Sequence, residues 1–562
     1  MNVDKDSDRY EPRILIVGGV AGGASCAARA RRLSEKAQIV ILERGPYVSF
    51  ANCGLPYYVG DIITEEENLI IATPELFKER FNIEVRIQSN VISIDREKRE
   101  IEVEDLRTSA IYREKYDALV LAPGATPIRP PLPGIDLPGI YSLRTIPDSR
   151  DIRNWIVQNN AKRAVIVGGG FVGLEMAENL VRRGISVTII EMQNHVIPPF
   201  DYEMSTPIHN HLNDNGVSLH LEDAVTGFEK DDKHNLNVNT KSGKTFTADL
   251  VILAIGVRPE VTLARSAGLE IGERGGIRVD ERMKTSDESI WAVGDAVEVR
   301  DFISGEWTII PLAGPANRQG RIAAGTILGR DFTFRGVQAT SICGVFGMTV
   351  ASTGLTENTL IRLNKSGGSI TYEKVYLYPG HHVGYYPGPS RIAIKMIFST
   401  EDGKVLGAQA VGHEGVDKRI DVISMAIQNN ATVFDLEEAE LCYAPQYGAA
   451  KDPVNIAGMI AANTLRGDAP LAHWEDIQNT VAFILDVRSP IEYESGHIDG
   501  AQNIPLNELR SRMHELPSRG EIWTYCTVGQ RSYYAARGLR LNGFNARNLS
   551  GGMNTYKNLA QS

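Results

Sequence analysis

Three times along this chain a short β-branched strand runs into a tight turn and then directly into a helix, and that order constrains the fold more than any other feature. The segments are RILIVGGVAGGASCAARARRL (13–33), RAVIVGGGFVGLEMAENLVRRG (163–184) and EIWTYCTVGQRSYYAARGLRLNG (521–543), the last with Cys526 where the others carry glycine. Parallel neighbours need a crossover, so repeated strand–turn–helix units predict parallel α/β sheets. The first two units form a diverged internal repeat. Each is followed by a second apolar strand that ends in an acid, QIVILE at Glu43 and SVTIIE at Glu191. Two further apolar strands, in YDALVLAPGATP (116–127) and ADLVILAIGVRP (248–259), run into turns of their own. At 562 residues the chain exceeds what one hydrophobic core holds, so several domains are expected.

The second unit carries Gly168, Gly170 and Gly173, a G-x-G-x-x-G between strand and helix. In such a turn the first glycine makes the bend, the second lets the backbone approach a pyrophosphate, and the third lets helix and sheet pack closely. The phosphate charge then rests on the free N–H groups of the helix start. Glu191 falls where a carboxylate accepts from an adenosine ribose; it repels a 2′-phosphate, so NADH is expected over NADPH. The first unit, GGVAGG, keeps Gly18 and Gly23 as outer glycines but has Val20 in the middle. Its support comes from Glu43, from the repeat, and from the strand IWAVGDA (290–296), which leaves Asp295 to accept from a ribityl or ribose hydroxyl. The competing reading is a pair of unrelated Rossmann units whose glycines serve only helix packing.

Composition narrows the class. Apolar residues at 43% and charged residues at 23% are ordinary for globular domains, and a net charge of −11 argues against a nucleic-acid protein. The start, MNVDKDSDRYEPR, has no apolar core, so it is not read as a secretory signal. No run approaches the ~18 apolar residues of a membrane span. Cys26, Cys53, Cys343, Cys442 and Cys526 lie far apart with no CxxC spacing, which fits neither a disulfide framework nor a metal site. A cytoplasmic protein without a metal is expected. Cys26, in GGASCAARA, and Cys343 read as buried structural thiols. Cys442 stays open because it adjoins Tyr443.

The chemistry concentrates in YVSFANCGLPYYVGD (47–61). Two-cysteine disulfide reductases place a second cysteine five positions after the first, and that position holds Tyr58. Cys53 therefore has no resolving partner nearby. A lone thiolate can attack a sulfur–sulfur bond and keep one sulfur until two electrons release it. The SFxxCGLPYYxG pattern, with the two glycine turns, resembles the single-cysteine branch of the FAD- and pyridine-nucleotide-dependent disulfide reductases. That branch contains coenzyme A-disulfide reductase and its persulfide-reductase relatives. The resemblance covers about residues 11–465. It implies FAD on the first unit with Asp295 near the ribityl chain, NADH on the second, and coenzyme A as substrate. The same branch holds NADH oxidases and peroxidases, whose cysteine cycles through a sulfenic acid. YYPG (385–388) and LCYAPQYGAAKDPVN (441–455) resemble its dimerisation domain, which implies a homodimer and hydroxyl roles for Tyr385 and Tyr443, with Tyr386 and Tyr447 as confusable neighbours. Aromatic packing at an interface is the competing reading. Arg29, Arg32, Ser49 and Asn52 are candidates for holding coenzyme A phosphates and pantetheine, although helix arginines are often simply solvated.

The C-terminal stretch FILDVRSPIEYESGHIDGAQNIPL, then IWTYC and a helix, resembles rhodanese. Its six-residue loop Cys526–Arg531 has the sulfurtransferase length; N–H groups converging on the Cys526 sulfur would hold a persulfide, with Arg531 as a cation at the rim. Asp486, Arg488 and His497 read as scaffold. A degenerate regulatory domain would usually lack the cysteine. The expected architecture is α/β throughout: an FAD-binding domain in two pieces (1–125 and 263–345), an NAD(H)-binding domain (126–262), an α/β dimerisation domain (346–465) and a small rhodanese-type α/β domain (466–562). The segment NTLRGDAPLAHWED (463–476) reads as a linker. Small thiols, disulfides or persulfides are the expected partners, with no nucleic acid and no membrane. Two other functions compete: an NADH oxidase or peroxidase with an accessory rhodanese domain, and a redox-sensing flavoprotein scaffold.

Overall fold

A computed structural model describes residues 11–231 and 235–560. The first ten residues, on which the reading of the N-terminus as no secretory signal chiefly rests, lie outside them. The chain forms two compact units, Met1–Ile190 with Ala224–Ala339, and Glu191–Asp223 with Thr340–Ser562.

The first unit contains two parallel sheets, each begun by one glycine-turn repeat. Arg13–Val17 pairs in parallel with Gln38–Leu42 on one side and Ala118–Leu121 on the other. Glu84–Arg86 and Ile290–Ala292 extend the two edges, so the late strand ending before Asp295 adds to the first sheet. Ile14, Leu15 and Ile16 are buried without alternation because this part of the sheet is covered on both faces. In the second sheet Arg163–Val167 lies between Ser186–Ile190 and Leu250–Leu253, and Ile140–Ser142 pairs with the latter. The helix Ala21–Leu33 packs on Ala313–Ile327 at Gly22 and Gly320. A Cβ on Gly320 would overlap the Gly22 carbonyl, so only glycine allows this approach.

The second unit joins an antiparallel sheet to a parallel one. The antiparallel order is Ser341–Val345, Met348–Gly354, Val405–Gly412, Ile392–Ser399, Tyr372–Leu377, with the helix Val416–Gln428 packed on it. The C-terminal sheet is parallel throughout, ordered Leu471–Ala472, Asn545–Leu549, Glu521–Tyr525, Phe483–Asp486, Gln502–Asn503. The expected linker at 463–476 is corrected here. Its first residues finish the helix Pro453–Leu465, and Leu471–Ala472 is an edge strand of the C-terminal sheet. Trp474 is buried and donates its indole N–H to Ser550 O at 3.0 Å. A two-residue strand is too short to show a period, so Gly467 and Pro470 dominated the sequence signal.

Candidate active sites

The two glycine turns share one construction. Gly18 and Gly168 have φ of +96° and +107°, and a Cβ on either would strike the carbonyl of Ala122 or Ala254. A Cβ on Gly23 or Gly173 would strike the carbonyl of Gly18 or Gly168 in the same way. Gly170 differs, with φ of −78° and no atom within 4 Å of a Cβ built there. The equivalent Val20 has φ of −88°. The backbone therefore demands the outer glycines and only leaves room at the middle one, which explains the irregular first motif. Neither following helix has a side-chain cap or an acid in its first turn. Their free N–H groups fit a pyrophosphate. The two acids also match: Oε1 of Glu43 accepts from Gly45 N at 2.7 Å, and Oε1 of Glu191 accepts from Gln193 N at 2.8 Å. Oε2 of Glu43 further accepts from Gly19 N at 2.8 Å, tying the acid to its turn.

Cys53 lies in the short 3₁₀ turn Asn52–Gly54 and is exposed. Its thiol is nevertheless pushed above the ordinary cysteine value, first by desolvation and then by Glu175, with Arg144 opposing and Asp295 adding. Asp295 carries an ion pair that sequence reading did not foresee, Arg144 Nη2 at 2.7 Å. Glu175 accepts from Tyr57 Oη at 3.3 Å, and burial raises its own pKa. Tyr58, at the place of a second cysteine, is buried with its hydroxyl toward Glu66. Ser49 is buried in a left-handed backbone conformation with φ of +51°, and Asn52 opens the turn that holds Cys53.

Arg29 and Arg32 sit on the first glycine-turn helix. Desolvation lowers the Arg29 pKa, and the neighbouring Arg321, Arg32 and Arg330 lower it further. Arg29 Nε is buried without a hydrogen-bond partner. Four guanidiniums gathered this way suit a polyphosphate. Arg321 and Arg330 were invisible in sequence, because the Gly22–Gly320 packing brings the Ala313–Ile327 helix beside the first. Cys26 and Cys343 are buried as expected, and burial pushes the Cys26 thiol up to about 12. Cys442 is exposed.

In the second unit the Tyr385 and Tyr443 hydroxyls meet at 2.8 Å, although the residues are 74% and 46% exposed. The hydrogen bond raises the Tyr385 phenol above its ordinary value. Tyr386 instead packs edge-on against His382, and Tyr447 is exposed.

Cys526 lies at the end of the strand Glu521–Tyr525, 0% exposed, with Ser532 Oγ at 3.5 Å from its sulfur. The helix Gln530–Leu541 follows Gly529, at φ of +91°, again without a side-chain cap or first-turn acid. Gly552 packs beneath the loop, where a Cβ would strike the Cys526 carbonyl. The cation expected at Arg531 has a carboxylate partner. Both its terminal nitrogens donate to Glu492, at 2.6 and 2.7 Å, while Thr527 Oγ1 donates to Glu492 at 2.9 Å. Glu492, held well below the ordinary carboxylate range by Arg531, was missed in sequence because it sits in the capping box of a separate helix, Pro490–Glu494. Asp486 and Arg488 form a buried ion pair, and His497 stacks on Tyr493, all consistent with scaffold roles.

The pyridine nucleotide-disulphide oxidoreductase family model matches residues 12–320, its dimerisation domain matches 340–452, and a rhodanese-like domain matches 470–559. Among curated relatives, a protein of Methanocaldococcus jannaschii named NADH oxidase is 35% identical over 81% of this chain and 99% of its own. A coenzyme A disulfide reductase of Staphylococcus haemolyticus is 34% identical over 79% and 98%. Two solved structures span nearly the whole chain. Reduced CoADR-RHD of Bacillus anthracis is 46% identical over 98% of this chain and 99% of that one, with a TM-score of 0.95. A NAD-dependent persulfide reductase from A. fulgidus is 37% identical over 97% and 100%, with a TM-score of 0.88. No helix among the described residues is long and apolar enough to cross a membrane.

Proposed function

Since this chain belongs to the pyridine nucleotide-disulphide oxidoreductase family and carries a rhodanese-like domain, we propose that it is an NADH-dependent reductase of coenzyme A disulfide or persulfide coupled to a sulfurtransferase. The observation that carries this reading is a lone, exposed Cys53 in the unit that also holds a cluster of four arginines. FAD belongs to the discontinuous first domain, with Gly18, Gly23, Glu43 and Asp295 as its contacts. NADH belongs to the second, with Gly168, Gly170, Gly173 and Glu191. When bound, the two cofactors supply the electron pair from NADH. Free cysteines throughout the described residues suit a reducing, cytoplasmic setting, and the dimerisation domain suits a homodimer.

The chain's own residues do the rest. Arg29 and Arg32, with Arg321 and Arg330, hold the coenzyme A phosphates, and Ser49 and Asn52 border the thiol end. The Cys53 thiolate attacks the outer sulfur of coenzyme A persulfide, and the S–S bonding pair leaves on the coenzyme A thiolate. Two electrons then split the new Cys53–sulfur bond, returning the thiolate and releasing hydrosulfide. Tyr385 and Tyr443, joined by one hydrogen bond, supply a proton to a leaving thiolate in the assembled dimer. Cys526 loads or unloads sulfane sulfur independently.

Cys53→Ser is expected to keep FAD bound while losing NADH consumption with coenzyme A disulfide or persulfide by at least about a hundredfold, the range of a lost nucleophile. NADH consumption with oxygen as sole acceptor, matching the persulfide rate in the parent, would sink the reductase reading in favour of the oxidase one. Near-normal turnover in Cys53→Ser would remove Cys53 from the reaction.

A further inference from the structure

Beside the Cys526 loop lies a cavity of about 380 Å³, walled on the rhodanese side by Glu492, Thr527, Gln530, Arg531 and Asn554. Its remaining charged wall is Arg391, which comes from the antiparallel sheet just before the strand Ile392–Ser399. Arg531 is neutralised by Glu492. Arg391 has no carboxylate partner among the described residues; only Nη1 is engaged, donating to Tyr378 O at 2.7 Å. The cavity's unbalanced charge is therefore the Arg391 guanidinium.

This arrangement is held by direct contacts within one compact unit. The Tyr378 hydroxyl bonds Thr555 Oγ1 at 2.9 Å, on the helix Gly552–Leu559. At the start of that helix Met553 N and Asn554 N donate to the carbonyls of Cys526 and Thr527, at 2.8 and 3.0 Å. Gly551 lets Tyr376 sit against the turn, where a Cβ would meet the Tyr376 Cβ at 2.7 Å. The tyrosine that fixes Arg391 thus also fixes the helix that fixes the sulfur-transfer loop.

We infer that Arg391 is a substrate-binding and specificity residue of the sulfur-transfer site, although it lies outside the rhodanese fold. It recognises an anionic group on the sulfur donor or acceptor, either the sulfonate of a thiosulfonate-type donor or a phosphate of a phosphorylated thiol. Guanidinium suits both, since it stays charged and donates in a planar fork. The inference rests on reading Cys526 as the sulfur-accepting nucleophile. With thiosulfate, the Cys526 thiolate attacks the sulfane sulfur; the S–S bonding pair leaves with sulfite, and a Cys526 persulfide anion remains. An acceptor thiolate or cyanide then takes the outer sulfur and returns the Cys526 thiolate. Arg391 exchanges no proton in either step and orients the anion.

The test uses the purified full chain as parent, Arg391→Ala, Arg391→Lys and Cys526→Ser, with thiosulfate as donor and cyanide, coenzyme A or pantetheine as acceptor. Arg391→Ala is expected to raise the KM of the anionic ligand about tenfold, the lower end for a charged hydrogen bond, with kcat within about twofold and most of the loss restored by lysine. A rise in the thiosulfate KM assigns the sulfonate. A rise for coenzyme A but not for pantetheine assigns the phosphate. Unchanged KM values in every arm, or a kcat loss common to all arms, overturn the role of Arg391 while leaving Cys526 in place. Transfer in the parent that Cys526→Ser retains, or no transfer in the parent, removes the sulfurtransferase reading and the Arg391 role with it.

Discussion

At the scale of single residues, Cys53 combines exposure with a thiol whose thiolate form is disfavoured. Desolvation comes first, and the Glu175 carboxylate adds to it. A negative neighbour raises a thiol pKa because it opposes formation of a second negative charge. Removing that charge must move the titration down. Glu175→Gln is therefore expected to lower the pH midpoint of Cys53 alkylation by iodoacetamide relative to the parent. An unchanged or higher midpoint would show that Glu175 does not act on the thiol. Glu175 stands in the helix of the second glycine turn, far from Cys53 in sequence, and nothing in the 47–61 motif announced it. The motif itself was readable, because SFxxCGLPYYxG is local and the missing second cysteine is a single letter.

At the scale of elements, the two glycine turns separate what folding requires from what a ligand requires. Gly173 is needed because a Cβ would meet the Gly168 carbonyl, whereas Gly170 faces open space. Gly173→Ala is expected to cost about 1–3 kcal/mol of stability, the usual range for overpacking, seen as a lower urea midpoint. Gly170→Ala is expected to leave that midpoint near the parent's and to raise the KM for NADH, since its methyl would occupy the space of the pyrophosphate. Equal destabilisation by both substitutions would mean that the middle glycine is also a packing device. The G-x-G-x-x-G spacing displayed these positions in advance. The structure adds which atoms enforce them, the carbonyls of Ala254 and Gly168 at the outer glycines and open space at the middle one.

At the scale of the whole chain, the second unit contains a buried charge cluster that no sequence pattern marks. Lys395, 0% exposed, reaches Asp201, Glu203 and Glu357 at 2.8, 2.6 and 2.7 Å. Lys374 links Glu357 to Glu475, and His473 meets Glu373, so the same region joins the antiparallel sheet to the C-terminal sheet. Burial opposes the Glu357 charge, but Lys395 and Lys374 outweigh it and hold its pKa at about 2. A depressed carboxylate contributes stability that is complete above its unfolded value near ~4.3 and is lost as pH falls toward the folded one. Lys395→Met is expected to destabilise the protein by about 3–5 kcal/mol at neutral pH, because three carboxylates lose their common partner. The gap to the parent should narrow as pH falls from 7 toward 2, because the stability that Lys395 lends the Glu357 carboxylate is lost over that range. A gap that is absent at pH 7, or that widens in acid, would contradict this account of the cluster.

What the sequence by itself determined was local and periodic. The strand–turn–helix units, the outer glycines, the acids ending the second strands, the lone Cys53 motif and the Cys526–Arg531 loop are each written within a few consecutive residues. Steric and dipolar rules act at that range, so the letters suffice. What the tertiary structure alone decided lies in pairs distant along the chain. Arg321 and Arg330 join Arg29 through a glycine-mediated helix contact, Arg144 takes Asp295, Glu492 neutralises Arg531, and Arg391 comes to the edge of the sulfur-transfer loop. The supposed linker became a strand for the same reason. A buried edge position, a shared charge or a common cavity depends on which surfaces meet, and a side chain's chemistry does not specify its neighbour until the chain has packed.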